Sequence, residues 1–293
     1  MTTRGEDYLT HLFVASTHAY VLIFSDRGRV YWLKVHAIPE VGPSGKGKSI
    51  ANLVSMAPEE KIAALETVRE FPGEDGERFV VMGTRRGVVK KVDLRAFRNP
   101  RAGGIIAMGV GPDDAVVGAE LTDGAGQIFI GTREGRAIRF PETGVRPTGR
   151  TARGVRGISL RSGDQVVAMT VVRAGGTLLS VTENGFGKRT PIEEYRVTSR
   201  GGVGIINIQA SQRNGHVAGV AYVANDEDEV MLITQQGKVL RTLAGDIRPI
   251  GRATQGVRLI EIDDDEDIVV SMARLVERNG ANAPERVVED RTE

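Results

Sequence analysis

The residues that catalysis would draw on are few and scattered. Histidine occurs four times, as His11, His18, His36 and His216, and no two share the spacing of metal ligands. His11 and His216 precede equivalent apolar segments, which gives them a structural reading. Cysteine is absent, which excludes disulfides, thiolate metal sites and a Cys nucleophile. No Gly-x-Ser-x-Gly elbow occurs. The spelling of a phosphate loop, Gly-x4-Gly-Lys-Ser, does occur at Gly42-Pro43-Ser44-Gly45-Lys46-Gly47-Lys48-Ser49. Such a loop needs a parallel strand before it and a helix after it, so that backbone amides point at phosphate. Here Ser49–Leu53 reads as the start of a short β segment, so nucleotide binding is not expected. The acidic run Glu261-Ile262-Asp263-Asp264-Asp265-Glu266-Asp267 has carboxylates that suit calcium, but lacks the Gly and Glu that an EF-hand loop needs at its sixth and twelfth positions. It reads as a solvated loop. The expectation is a chain with no catalytic residue, no metal site and no cofactor.

Charge gives a stronger signal. The formal net charge is only +1, yet the last 34 residues hold eleven acids against four Arg, so residues 1–259 carry +8. The basic residues recur in phase. Lys34, Lys90, Lys91, Arg139, Lys188, Arg189 and Arg241 each sit in a segment just after a turn. Lys46, Lys48, Arg98, Arg101, Arg150, Arg153, Arg156, Arg200, Arg252 and Arg258 lie before or within a Gly-rich turn. Taken singly, each is as well explained as an ordinary surface cation. As a set in phase, they occupy equivalent places in a repeating fold and predict a positive belt. A belt suits a polyanion that bends around a rim and is held through phosphates without base readout. Aromatics are 5% of the chain and Trp32 is the only Trp, so stacking platforms for single strands are scarce and duplex DNA is the better partner.

Three elements carry these residues and keep their order. The first is a turn and basic strand: Ser25–Val30, Thr84–Lys91, Thr132–Arg139, Thr182–Arg189 and Thr234–Arg241, with turn glycines 59, 48, 50 and 52 apart. The second is a short apolar strand after a polar lead, at His11–Val14, Lys61–Ala64, Ala115–Gly118, Gln165–Ala168, His216–Gly219 and Ile268–Ser271. The third is a Gly-rich basic turn before another strand: Gly45–Ile50, Arg101–Ile106, Arg153–Ile158, Arg200–Ile205 and Thr254–Leu259. Val/Ile-rich segments bounded by Gly, Asp and Asn read as strands, and Xaa-Gly turns suit tight hairpins. A helical turn at Pro58–Leu65 conflicts with the repeat, which assigns Lys61–Ala64 to a strand.

About four strands per unit of roughly 50 residues is the blade of a radial array. The expected fold is all-β: a six-bladed, propeller-like wheel with five complete repeats and a partial sixth starting near Asp267. Residues 1–278 form the wheel and 279–293 a polar, acidic tail able to compete with DNA for the rim. The sixth copy of the apolar strand and only five basic turns suggest a chain beginning partway through a blade. No apolar run approaches the ~18 residues of a membrane span and no signal core is present, so a cytoplasmic, nucleoid-associated protein is expected, with no membrane partner.

Ser25-Asp26-Arg27-Gly28-Arg29-Val30-Tyr31-Trp32-Leu33-Lys34-Val35, Asn184-Gly185-Phe186-Gly187-Lys188-Arg189-Thr190 and Thr254-Gln255-Gly256-Val257 resemble the C-terminal DNA-wrapping domain of bacterial DNA gyrase A. The resemblance covers roughly residues 5–277. It implies a six-bladed β-pinwheel that wraps duplex DNA in a positive sense and supports negative supercoiling, with the remainder of gyrase A and with gyrase B as partners. The cleavage Tyr and the ATPase site would lie in those partners. The related domain of topoisomerase IV carries similar wheels with more degenerate blades, and five regular units favour gyrase. The family's seven-residue box, Gln-Arg-Arg-Gly-Gly-Lys-Gly, is missing from these residues and would be expected upstream. Thr198-Ser199-Arg200-Gly201-Gly202-Val203-Gly204 and Val41–Gly47 are degenerate echoes of it. The competing readings are a propeller-like protein-interaction scaffold and a propeller enzyme with a channel site, the latter lacking convergent acids or ligands.

Overall fold

A computed structural model of the protein describes residues 15–41, 48–73, 76–262 and 267–275. The first repeat supplies β1 (Tyr20–Ser25), β2 (Arg29–Lys34) and β3 (Ile62–Val68). The second supplies β4 (Phe79–Thr84), β5 (Val88–Asp93), β6 (Ile105–Ile106) and β7 (Val116–Thr122). The third supplies β8 (Gln127–Thr132), β9 (Arg136–Pro141), β10 (Val155–Arg156) and β11 (Val166–Val172). The fourth supplies β12 (Thr177–Thr182), β13 (Phe186–Pro191), β14 (Ile205–Ile206) and β15 (Val217–Val223). The fifth supplies β16 (Glu229–Thr234), β17 (Val239–Leu243), β18 (Val257–Arg258) and β19 (Val269–Leu275).

Each of the first four hairpins turns at a glycine that no other residue could replace without strain. Gly28, Gly87, Gly135 and Gly185 have φ between +76° and +81°. A Cβ on them would lie 2.3, 2.9, 2.2 and 2.5 Å from the carbonyl oxygens of Met108, Ile158, Ile208 and Ile260. The turn glycine thus fixes both the hairpin and the approach of a segment from the next repeat.

That approach sets the topology. The sheets run β3-β1-β2-β6, β7-β4-β5-β10, β11-β8-β9-β14, β15-β12-β13-β18 and β19-β16-β17. The two-residue outer strand of each of the first four sheets comes from the following repeat. Blades therefore cannot form independently: each of these four borrows an edge from its neighbour. The inner strands β3, β7, β11, β15 and β19 pack side by side in turn and surround a cavity of about 480 Å³.

The described residues hold five sheets. Of the Ile268–Ser271 segment, expected to belong to a sixth unit, Val269–Ser271 open β19 and close the fifth sheet. The same holds for every described copy of that apolar strand: it completes the sheet before it. His11–Val14 lies outside the described residues. Ser49–Leu53, expected to be β, contains instead the 3-10 turn Ile50–Asn52, which helps cover the outer face of the first blade together with Val54. Lys61–Ala64 is strand, as the repeat requires, within and beside β3. Of the acidic run, Asp267 is buried and accepts the Gln236 and Ile268 amides, while Asp263–Glu266 lie outside the described residues.

The core is divided into layers between blades. Leu22 and Phe24 of the first pack on Val80 and Met82 of the second, Val81 and Val89 on Ile128 and Ile130, and Phe129 on Leu178. Leu179 and Val181 close against Val230 and Leu232. A strand flanked by blades on both sides has no solvent face, which explains runs such as Ile128-Phe129-Ile130 with all three residues buried.

Candidate nucleic-acid interface

The outer rim is built from the segments between each hairpin and its returning two-residue strand: residues 98–106, 146–156, 196–206 and 248–258. Gly-rich sequence lets each loop turn tightly, and Gly104, Gly154, Gly204 and Gly256 all take positive φ just before the strand.

The predicted basic residues divide into two groups. Lys34, Lys48, Arg98, Arg101, Arg153, Arg156, Arg200, Arg241 and Arg258 are exposed, and Arg150 and Arg252 half-buried. Lys46 lies outside the described residues. Lys90, Lys91, Arg139, Lys188 and Arg189 are buried, which corrects their assignment as surface contacts. Their strands are packed between neighbouring blades, so a side chain of either parity is enclosed.

The buried cations are spent on backbone carbonyls. Lys91 donates to the Glu142 carbonyl at 3.2 Å and is 3.6 Å from its carboxylate. Arg139 donates to the Ile192 and Tyr195 carbonyls at 2.6 and 3.0 Å, and Arg189 to that of Ile247 at 2.8 Å. Trp32 fills the same place in the first blade, its indole N–H donating to Phe97 at 2.9 Å. Each of the four secures the short 3-10 turn that opens the next rim loop. Arg241, the fifth in this series, is exposed and paired with Glu229.

Lys90 and Lys188 hold the loops themselves. Lys90 donates to the carbonyls of Ala107, at 2.9 Å, and Arg150. Lys188 donates to Gly251 at 3.0 Å, Arg252 at 2.8 Å and the Thr190 hydroxyl at 2.8 Å. Burial pulls both ammonium groups down to a pKa of about 8, with the nearby guanidinium of Arg150 acting in the same direction on Lys90.

Adjacent rim loops are stitched together by arginines one repeat apart. Arg150 donates to the Ile106 carbonyl, Arg200 to that of Arg156, and Arg252 to that of Ile206. The degenerate box echo at Thr198–Gly204 is thus part of a rim loop, and Arg200 also donates to Gly144 at 3.0 Å.

Sequence reasoning missed two sets. Arg146, Arg196 and Arg248 are exposed at the start of three rim loops, 50 and 52 residues apart, and that phase is the signal that finds them. Arg29 and Arg136, directly after the turn glycines, reach across the sheet to the loop backbone: Arg29 to Gly104 at 3.3 Å, Arg136 to Val203 at 2.9 Å and Gly204 at 2.6 Å. The three described histidines make no cluster, and His11 lies outside the described residues. His216 lies 3.2 Å from Glu134, and His18 and His36 are exposed. Among the described residues, no group of three or more His, Asp or Glu is placed to hold a metal ion. The rim therefore offers exposed guanidinium groups on anchored loops, a surface chemically suited to phosphate.

Comparison with known proteins matches this geometry. The family model described as "DNA gyrase C-terminal domain, beta-propeller" matches residues 19–69, 78–123, 126–173, 176–224 and 228–275, one match per blade. The chain is 43% identical over 266 residues to the DNA gyrase A polypeptide of Salmonella typhimurium, covering 91% of this chain and 30% of that protein. It thus spans about a third or less of the length of such relatives. The crystal structure of the C-terminal domain of DNA topoisomerase IV superposes with a TM-score of 0.80 at 25% identity, covering 93% of this chain and 84% of the other. A structure of the DNA gyrase A C-terminal domain superposes with a TM-score of 0.78 at 23% identity, covering 94% and 93%.

Proposed function

Because the chain belongs to the DNA gyrase C-terminal domain family, we propose that it is a non-catalytic module that binds duplex DNA and bends it around the rim of the wheel. One observation carries the reading: exposed arginines recur on successive rim loops, Arg146, Arg196 and Arg248 among them, at the spacing of the blades. In the whole topoisomerase the wrap presents a DNA segment for passage, in support of ATP-dependent negative supercoiling. The remainder of gyrase A, together with gyrase B, supplies cleavage and ATP hydrolysis, and the assembly works in the cytoplasm, on the nucleoid.

The wheel is six-bladed in this reading. Every described copy of the apolar inner strand completes a sheet, and the sequence holds a sixth copy at His11–Val14. A role within topoisomerase IV is the alternative, favoured by the TM-score of 0.80 to that enzyme's domain. The 43% identity to a gyrase A polypeptide over 91% of the chain outweighs it.

Phosphate contacts release counterions, so affinity falls steeply with salt. Six to ten contacts correspond to a loss of about 10³–10⁵ between 50 and 200 mM salt. Fluorescence anisotropy with a labelled duplex over that range tests the reading, and an affinity flat in salt refutes it.

A further inference from the structure

The blades are of two kinds, and they alternate. One cross-strand pair on each outer edge joins the residue after the turn glycine to the second residue of the borrowed strand, or its neighbour in that register. These pairs are Arg29 with Ile106, Val88 with Arg156, Arg136 with Ile206, and Phe186 with Arg258. Each contains one cation and one apolar residue. The cation is on the hairpin strand, β2 or β9, in blades one and three and on the borrowed outer strand, β10 or β18, in blades two and four. Lys238 continues the order directly before β17 of blade five.

The two placements have different consequences. In blades one and three the guanidinium bonds the loop backbone, as described for Arg29 and Arg136. Part of its hydrogen-bonding capacity goes into holding the loop, which fixes the side chain along the sheet edge, and the rim at that rung presents Ile106 and Ile206, which are 43% and 40% exposed. In blades two and four the loop is held from below by buried Lys90 and Lys188. The edge cation is then released from that duty. Arg156 makes no side-chain hydrogen bond among the described residues, and Arg258 lies over the Phe186 ring at 5.4 Å with one solvent-exposed partner, Glu261, at 3.7 Å.

We propose that, beside the arginines that recur at every blade, this rung of the rim grips duplex DNA at alternate blades, with Arg156 and Arg258 as phosphate contacts and Arg29 and Arg136 as positioning residues that take no phosphate. At this rung the contact repeats every two blades, from Arg156 to Arg258, and Ile106 and Ile206 meet the duplex between these grips through aliphatic contact with sugar. This rests on the duplex-binding reading above.

The test measures the salt dependence of duplex affinity for the 293-residue chain and its variants. R156Q and R258Q are expected each to lower the slope of log affinity against log salt by about one. A fourfold rise in salt then costs each variant about fourfold less affinity than the parent loses. R29Q and R136Q are expected to leave the slope unchanged while speeding hydrogen exchange at the Met108 and Ile208 amides, which bond the turn glycines. I106R and I206R, at exposed positions, are expected to raise the slope by about one. Equal slope losses in all four Gln variants, or no gain from the two Arg insertions, would overturn the alternation while leaving duplex binding intact. A parent chain with no salt dependence overturns the duplex reading itself, and the alternation with it.

Discussion

Replacing Lys188 by methionine separates the two roles of a buried lysine. Its side chain is fully enclosed, and its ammonium bonds two loop carbonyls and the Thr190 hydroxyl. Burial lowers its pKa from 10.5 to about 8, against a smaller opposing pull from Glu194. The folded chain therefore holds this proton less tightly than the unfolded chain. Between pH 8 and 10.5 unfolding takes up a proton, so the folded state gains stability as pH rises through that window. A fall from 10.5 to about 8 corresponds to about 3 kcal/mol held against the charged form at pH 7, most of it relieved by pH 10. Lys188→Met has no such proton. It also leaves the Gly251 and Arg252 carbonyls short of a donor, at about 1–3 kcal/mol each. At pH 7 the two effects offset one another in large part. At pH 10 only the lost hydrogen bonds remain. The unfolding free energy of the parent minus that of the variant is therefore expected to grow by about 2–3 kcal/mol between pH 7 and pH 10. Lys90 titrates in both proteins and cancels. Urea unfolding followed by far-ultraviolet circular dichroism at fixed ionic strength measures the difference. A difference independent of pH would refute the burial argument, and one that shrinks with pH would show that Glu194, not desolvation, dominates.

Three further outcomes follow from the same geometry. Gly135→Ala places a Cβ 2.2 Å from the Ile208 carbonyl oxygen at φ +79° and is expected to cost about 2–4 kcal/mol, whereas Gly144→Ala, with nothing within 4 Å, stays within about 0.5 kcal/mol; thermal denaturation compares them. Glu120, in the central cavity, has its pKa raised to about 7 by burial, so the parent loses stability as pH rises through the range from its unfolded value to 7. Glu120→Gln should be the more stable protein at pH 8, with the gap narrowing toward pH 5 in the same unfolding assay. Because the seven-residue box of the family is absent from these residues, the chain should bind duplex yet leave little positive writhe in a plasmid relaxed by a nicking-closing enzyme; strong writhe would refute this.

The hairpins and inner strands were legible because a single residue dictates them. Gly135 with its positive φ, or Asp164 accepting the Glu134 amide, does one job in one place, and its recurrence marks the repeat. The borrowed strands were not legible as such. A two-residue strand such as Ile105–Ile106 has no period to read, and its partner lies a full repeat away. The cations do recur in phase, but phase alone does not distinguish inside from outside. Val88-Val89-Lys90-Lys91-Val92 held the available clue. Two adjacent lysines point to opposite faces of a strand, so in a blade stacked on both sides neither can escape burial.

The buried cations nonetheless bear on the exposed ones. A duplex resists bending, at about 1–6 kcal/mol for a smooth bend of a 20–30 base-pair site. Contacts made by mobile loops would lose part of their yield to ordering, roughly 0.5–1.5 kcal/mol for each immobilised long side chain and more for loop backbone. Here the loop backbone is already fixed: Arg139 secures the turn at Ile192, Lys188 the carbonyls at Gly251 and Arg252, and Arg200 ties one loop to the next through Arg156. The ordering cost is met during folding, where the inter-blade core offsets it. A basic repeat in which some of the cations never reach the surface is therefore better matched to bending DNA than one in which all of them do, because the enclosed cations keep the exposed ones in register.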